Sequence, residues 1–159
     1  MPLDPSWPFK PLAKVARLLP VARTRLEVIE VGATVVEAAR RLQSGNELLV
    51  ACTIDARMAG VVSKSDVISC FAAATGSDCL RRVVSAVMRR DVVSCVAEED
   101  LHAVWLRMKT SGLKNIPVLN DDARPLGLLS ARDTLELILE GTEEEETLMR
   151  DYVMGIGYR

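Results

Sequence analysis

The sequence predicts an α/β (α+β) fold built from two pseudo-symmetric halves packed through their sheets. Each half reads strand, helix, strand, strand, helix. Three observations carry this reading: an internal repeat, matching changes of hydrophobic period in the two copies, and a composition suited to one shared core. Placing residues 44–66 over 111–133 pairs Ser44 with Ser111, Gly45 with Gly112 and Asp55-Ala56-Arg57 with Asp122-Ala123-Arg124. Gly60 then meets Gly127, Ser63 meets Ser130 and Asp66 meets Asp133, giving eight identities in 23 positions. Ordinary residue frequencies of about 5–7% would give one or two. With 159 residues, 49% of them hydrophobic, the chain can hide roughly 70% of its unfolded surface without a metal or disulfide.

The elements follow in order. Pro2, Pro5, Pro8 and Pro11 mark an extended arm carrying Trp7 and Phe9, aromatics expected to be pinned against the body or a second copy. Val28–Val31 reads as extended. Val35, Ala38, Ala39 and Leu42 then form one apolar helix face, with Thr34 placed to cap it and Gly45 to end it. Leu48–Cys52 and Ala59–Val62 read as strands of a hairpin around the polar turn Thr53–Arg57, followed by a helix near Ser65–Ala74.

The second copy repeats each step. Val92–Val96 is extended, Asp100 caps a helix faced by Leu101, Val104, Trp105 and Met108, and Gly112 ends it. Ile116–Leu119 and Leu126–Leu129 flank the turn Asn120–Pro125, and a helix near Ala131–Glu140 ends at Gly141. Domain boundaries fall at 1–78 for the arm and first copy, 79–141 for the second copy, and 142–159 for an acidic tail. That tail carries Glu143–Glu146 and then an apolar stretch expected to dock on the module.

Several function classes are disfavoured. Twenty basic against 22 acidic residues and 4% aromatics argue against a nucleic-acid or anionic-membrane surface. No uncharged apolar run is long enough to span a membrane, and no secretory signal pattern opens the chain, so a cytoplasmic protein is expected. Cys52, Cys70, Cys79 and Cys95 have no metal-ligand spacing, and one histidine, His102, completes neither a zinc set nor a nucleophile–base pair. Buried free thiols, no metal and no enzymatic activity are expected.

The sharpest local pattern is Gly60-Val61-Val62-Ser63-Lys64-Ser65-Asp66, echoed as Gly127-Leu128-Leu129-Ser130-Ala131-Arg132-Asp133. Ser-x-x-Asp where a strand meets a helix is close to a capping box, in which both side chains satisfy free helix N–H groups. The same residues suit a ligand. Glycine admits a close backbone approach, a helix N-terminus favours phosphate, and a carboxylate accepts both vicinal hydroxyls of a ribose.

Together with Thr34-Val35-Val36-Glu37-Ala38-Ala39, Ile116-Pro117-Val118 and Val87-Met88-Arg89-Arg90-Asp91-Val92-Val93-Ser94, these motifs resemble a tandem pair of cystathionine β-synthase (CBS) domains, or Bateman module, of the stand-alone bacterial type. The resemblance spans residues 12–140. It implies βαββα half-domains and clefts between them that take AMP, ADP, ATP or a related adenosyl ligand. It also implies a regulatory role and a disc-like homodimer, with output through a protein partner or rearrangement of the dimer.

Carried over residue by residue, one cleft would use Asp66 for the ribose, Ser63 nearby, the lead-in Val93-Ser94 opposite, and Val50 and Ala51 at the base. The mirror cleft would use Asp133, Ser130 and Arg132, with Ile116 and Pro117 at the base and Val28-Ile29 opposite. Ser94 offers a hydroxyl and Ile29 does not, so the Asp66 cleft is expected to be favoured. Val50 also replaces the proline that Pro117 supplies in the second copy. Arg132, Lys64, Arg89 and Arg90 are candidate phosphate partners. The alternative is a ligand-free interaction protein in which Ser-x-x-Asp only caps helices.

Overall fold

Repeated local signals give repeated elements in the computed structural model, which describes residues 13–73 and 77–141. After a 3-10 turn, Val15–Leu18, come α1 (Leu19–Arg25), β1 (Val28–Glu30), α2 (Val35–Gln43), β2 (Leu48–Cys52), β3 (Met58–Ser63) and α3 (Lys64–Ala73). Two short helices follow, α4 (Ser77–Arg81) and α5 (Val84–Val87). The second half contains β4 (Cys95–Val96), α6 (Leu101–Ser111), β5 (Asn115–Leu119), β6 (Pro125–Ser130) and α7 (131–141). The arm with Trp7 and Phe9 and the tail after 141 lie outside the described residues.

The caps form as their chemistry dictates. The Thr34 hydroxyl accepts from the Glu37 N–H at 3.2 Å, and an Asp100 carboxylate oxygen accepts from the Ala103 N–H at 3.1 Å. Gly112 ends α6 in the left-handed region, at φ 65°. Each half has a three-stranded sheet in which a short parallel strand and an antiparallel hairpin share the middle strand. The registers match: Leu48 faces Ser63 as Asn115 faces Ser130, and Ile29 faces Ala51 as Cys95 faces Val118.

One core lies under each sheet. Ile29, Leu42, Leu49 and Val62 are buried in the first, and Leu101, Met108, Ile116 and Leu129 in the second. A third cluster, Val50, Cys52, Val61 and Leu128, joins the halves. All four cysteines are free and buried. Burial pushes the Cys79 and Cys95 thiols up to about 11 and 12, so both stay protonated at neutral pH.

The halves also exchange segments, which the linear boundary at 78/79 does not anticipate. The 3-10 turn and α1 belong to the second half. Val15 sits in its core, its N–H donates to the Glu99 carbonyl at 3.0 Å, and α1 lies on β6. Conversely, residues 82–88 belong to the first half. The Val35 N–H donates to the Arg82 carbonyl, the Val84 N–H to the Ala33 carbonyl, and Val84 and Met88 enter its core. A fragment of residues 1–78 therefore keeps α1 without β6 and loses α5. It is expected to show no cooperative thermal transition and to bind a dye for exposed apolar surface. A monomeric fragment with a sharp transition would contradict the shared architecture.

Candidate functional site

The first Ser-x-x-Asp motif sits where β3 turns into α3 and forms a reciprocal cap. An Asp66 carboxylate oxygen, Oδ2, accepts from the Ser63 N–H at 2.8 Å and from Ser63 Oγ–H at 2.9 Å, while the Asp66 N–H donates to Ser63 Oγ at 3.4 Å. The other oxygen, Oδ1, accepts from Arg89 Nε at 2.7 Å. The Asp66 side chain is 9% exposed and that of Arg89 is 59% exposed.

Gly60 explains how Arg89 reaches this position. A Cβ on Gly60 would lie 2.5 Å from the Arg89 carbonyl oxygen and 2.9 Å from Met88 Sδ. Its absence lets residues 88–89 lie on β3, where Val61 and Arg89 exchange both backbone hydrogen bonds, at 3.0 and 2.9 Å. The expected role of glycine as an opening for a ligand is thus corrected: its missing side chain admits the chain's own backbone.

The second motif repeats this logic with another segment. A Cβ on Gly127 would lie 2.7 Å from Ala22 Cβ and 2.9 Å from the Ala22 carbonyl carbon, so Gly127 seats α1. At the end of α1, Arg25 grips Asp133 with both prongs, Nε to Oδ2 at 2.6 Å and Nη2 to Oδ1 at 3.0 Å. This bidentate pair raises the Arg25 pKa further above its ordinary range. Ser130 Oγ accepts from the Asp133 N–H at 3.0 Å. Each motif therefore joins a glycine that seats a crossing segment to an aspartate that pairs with an arginine on that segment.

A cavity of about 510 Å³ opens beside Asp66 and Arg89. Leu48, Val61, Ser63, Lys64 and Ser65 line it from the first half, and Val92 and Val93 from the lead-in to β4. The second half adds Leu113, Lys114, Asn115 and Pro117, with Glu47 and Asp91 supplying acidic groups. Lys64, Arg89 and Lys114 are its cationic groups.

Of the residues expected there, Asp66, Ser63, Val93, Lys64 and Arg89 come together. Val50 and Ala51 do not, because β2 is the middle strand and its two faces feed different cores; Leu48 and Val61 line the wall instead. Pro117, expected in the mirror cleft, faces this cavity, and Ile116 is sealed in the second core. Arg132 is 84% exposed and reaches Glu136, while Arg90 donates to the Ser85 carbonyl. Lys114 and Asn115 carry no sequence signal for the site, because they stand just before and at the very start of β5, where no apolar alternation has begun.

The opposite wall also needs one correction. Arg107 Nη1 donates to the Ser94 carbonyl at 2.8 Å, and Arg41 Nη1 donates to the Val28 carbonyl at 2.6 Å. With the strand registers, these contacts make Val28, not Ile29, the counterpart of Ser94. Ile29 is buried in the first core and matches Cys95. Ser94, expected in the wall opposite Asp66, is not among the residues that line the cavity, where Val92 and Val93 supply the lead-in instead. Arg107 is itself held by Glu99, whose carboxyl lies below the usual range because of that guanidinium, and Glu99 also accepts from the Val96 N–H.

Residues 84–140 match the CBS domain family. The chain has the fold of a CBS domain pair. It aligns over 83% of its length with 98% of a CBS-domain protein from Agrobacterium tumefaciens, at 22% identity and a TM-score of 0.68. The CBS domain pair of protein MJ0100, solved with 5-methylthioadenosine and S-adenosyl-L-methionine, aligns over 83% of this chain and 99% of its own, at 17% identity and a TM-score of 0.66. The ATP-bound cytosolic domain of the Mg2+ channel MgtE aligns over 71% of this chain and 45% of its own, at 23% identity and a TM-score of 0.60. In sequence, an uncharacterized 17.7 kDa protein of Acidianus ambivalens is 23% identical over 121 residues, 76% of this chain and 71% of the relative. Among the described residues, no helix is long and apolar enough to cross a membrane.

Proposed function

We propose that this CBS domain pair is a regulatory module that binds an adenine nucleotide (AMP, ADP or ATP) in the cavity beside Asp66 and reports cellular energy charge. The observation that carries the reading is the cavity itself. Its volume of about 510 Å³ falls in the usual range for small-molecule sites, roughly 300–1,000 Å³. The reading is supported by a carboxylate suited to a ribose at the start of α3, a ten-residue helix whose N-terminus favours phosphate, and by three cationic side chains and an apolar wall. The nucleoside ligands named for MJ0100 and the ATP named for MgtE support an adenosyl ligand in this fold.

A second reading, a ligand-free interaction module, is favoured by one observation: the Asp66 oxygens are already satisfied by Ser63 and Arg89. Assembly as a homodimer is supported by apolar side chains left exposed on α3 and α7, namely Ile68, Phe71, Leu135 and Leu139.

One panel separates the readings. AMP, ADP, ATP, NAD and S-adenosylmethionine are each added during thermal unfolding, with light scattering on the same samples. An adenine nucleotide at 100 times its Kd is expected to add about 2.7 kcal/mol, on a species of twice the chain mass. No shift with any of them would favour the ligand-free module, and a monomer at micromolar concentration would remove the dimer.

A further inference from the structure

Asp66 has little capacity left for a ligand, and this determines which ligands can use it. Oδ2 holds the cap of α3 through two bonds from Ser63, so vacating it would loosen the helix start that shapes the cavity. Oδ1 holds one bond, from Arg89 Nε. That bond is the one that can open. The Arg89 backbone is fixed against Val61, while its side chain is 59% exposed, lines the cavity and is tied to Asp66 by that one bond.

We propose that Arg89 is a movable counter-ion that makes this cavity selective for nucleotides over nucleosides. The inference rests on the nucleotide reading above. Oδ1 has one acceptor site free beside Arg89, so gripping both vicinal hydroxyls of a ribose displaces the guanidinium, which then needs a new anionic partner. A phosphate supplies one and matches the planar fork of the arginine. A nucleoside brings none and must compete with Arg89 for Oδ1. Glu47 and Asp91 also line the cavity but are exposed, and a hydrated, screened pair offers the guanidinium less than a phosphate does. Arg89 thus opposes adenosine and assists AMP through one displacement.

The test is titration calorimetry of AMP and of adenosine with the unmodified chain and with Arg89→Ala. Removing Arg89 is expected to weaken AMP roughly tenfold through the lost phosphate contact. It is expected to tighten adenosine by about two- to fivefold, because an exposed ion pair no longer competes for Asp66. Opposite signs for the two ligands are the signature. Arg89→Met, which keeps an unbranched stem without charge or donor, carries the same expectation should the alanine variant fold poorly. If AMP binds the unmodified chain but adenosine is unmoved or weakened by both substitutions, the displacement is wrong and the nucleotide reading stands. If the unmodified chain binds neither ligand, the nucleotide reading fails and this inference falls with it.

Discussion

Gly60→Val and Gly127→Val are each expected to destabilise the protein by about 3 kcal/mol, lowering Tm by about 6–12 °C. The cost arises where a new side chain meets backbone that cannot yield. At Gly60 the nearest atom is the Arg89 carbonyl oxygen, 2.5 Å from where Cβ would lie. That carbonyl accepts from the Val61 N–H, and the Arg89 N–H donates to the Val61 carbonyl, so moving the segment away breaks both bonds. At Gly127 the obstacle is α1 itself, through Ala22. Against a typical total stability of 5–15 kcal/mol, a loss of this size is large. Gly32→Ala is the control. Its Cβ would meet nothing within 4 Å, so stability should be unchanged or slightly raised by a less flexible unfolded chain. Thermal unfolding of the three variants checks this. Equal Tm values across all three would show that the crossing segments do not depend on these glycines. Gly60→Val should also displace Arg89 and so disturb the cavity, whereas Gly127→Val leaves that cavity's lining in place.

The parts of the fold legible in sequence were those with local causes. Thr34 and Asp100 announce α2 and α6 because an N-cap acts over three residues, and the hairpins are announced by alternating apolar runs and polar turns. The short helices α1, α4 and α5 were not legible. Seven, five and four residues are too few for a periodic face to stand out, and their order comes from packing against distant elements. Of the extended segment Val92–Val96, only Cys95–Val96 pairs with β5, and Val92 and Val93 line the cavity.

The site divided in the same way. Ser63 and Asp66 stood out through repetition and cap spacing. Arg89 is legible as a candidate phosphate partner, but its pairing with Asp66, 23 residues away, is not, nor is that of Arg25 with Asp133, 108 residues away. Val50 and Ala51, which the resemblance puts at the base, are buried on opposite faces of a central strand, and a short apolar run does not reveal a central strand.

Asp66→Asn is expected to abolish adenine-nucleotide binding, and Asp133→Asn to leave it nearly intact. A carboxylate accepts from two ribose hydroxyls, whereas an amide turns one acceptor into a donor. Both aspartates could serve, but their surroundings differ. Both oxygens are engaged in each, but at Asp66 only the single-pronged bond from Arg89 has to open while Ser63 keeps Oδ2, whereas at Asp133 both prongs of Arg25 must let go. The cavity of about 510 Å³ is also lined by Asp66, with Ser63, Lys64 and Arg89 beside it, and not by Asp133. The measurement is a calorimetric titration of AMP into the unmodified chain and both variants, with thermal unfolding to show that each is folded. The account predicts binding to the unmodified chain and to Asp133→Asn, and none to folded Asp66→Asn. Loss of binding in Asp133→Asn with retention in Asp66→Asn, or retention in both, would contradict it.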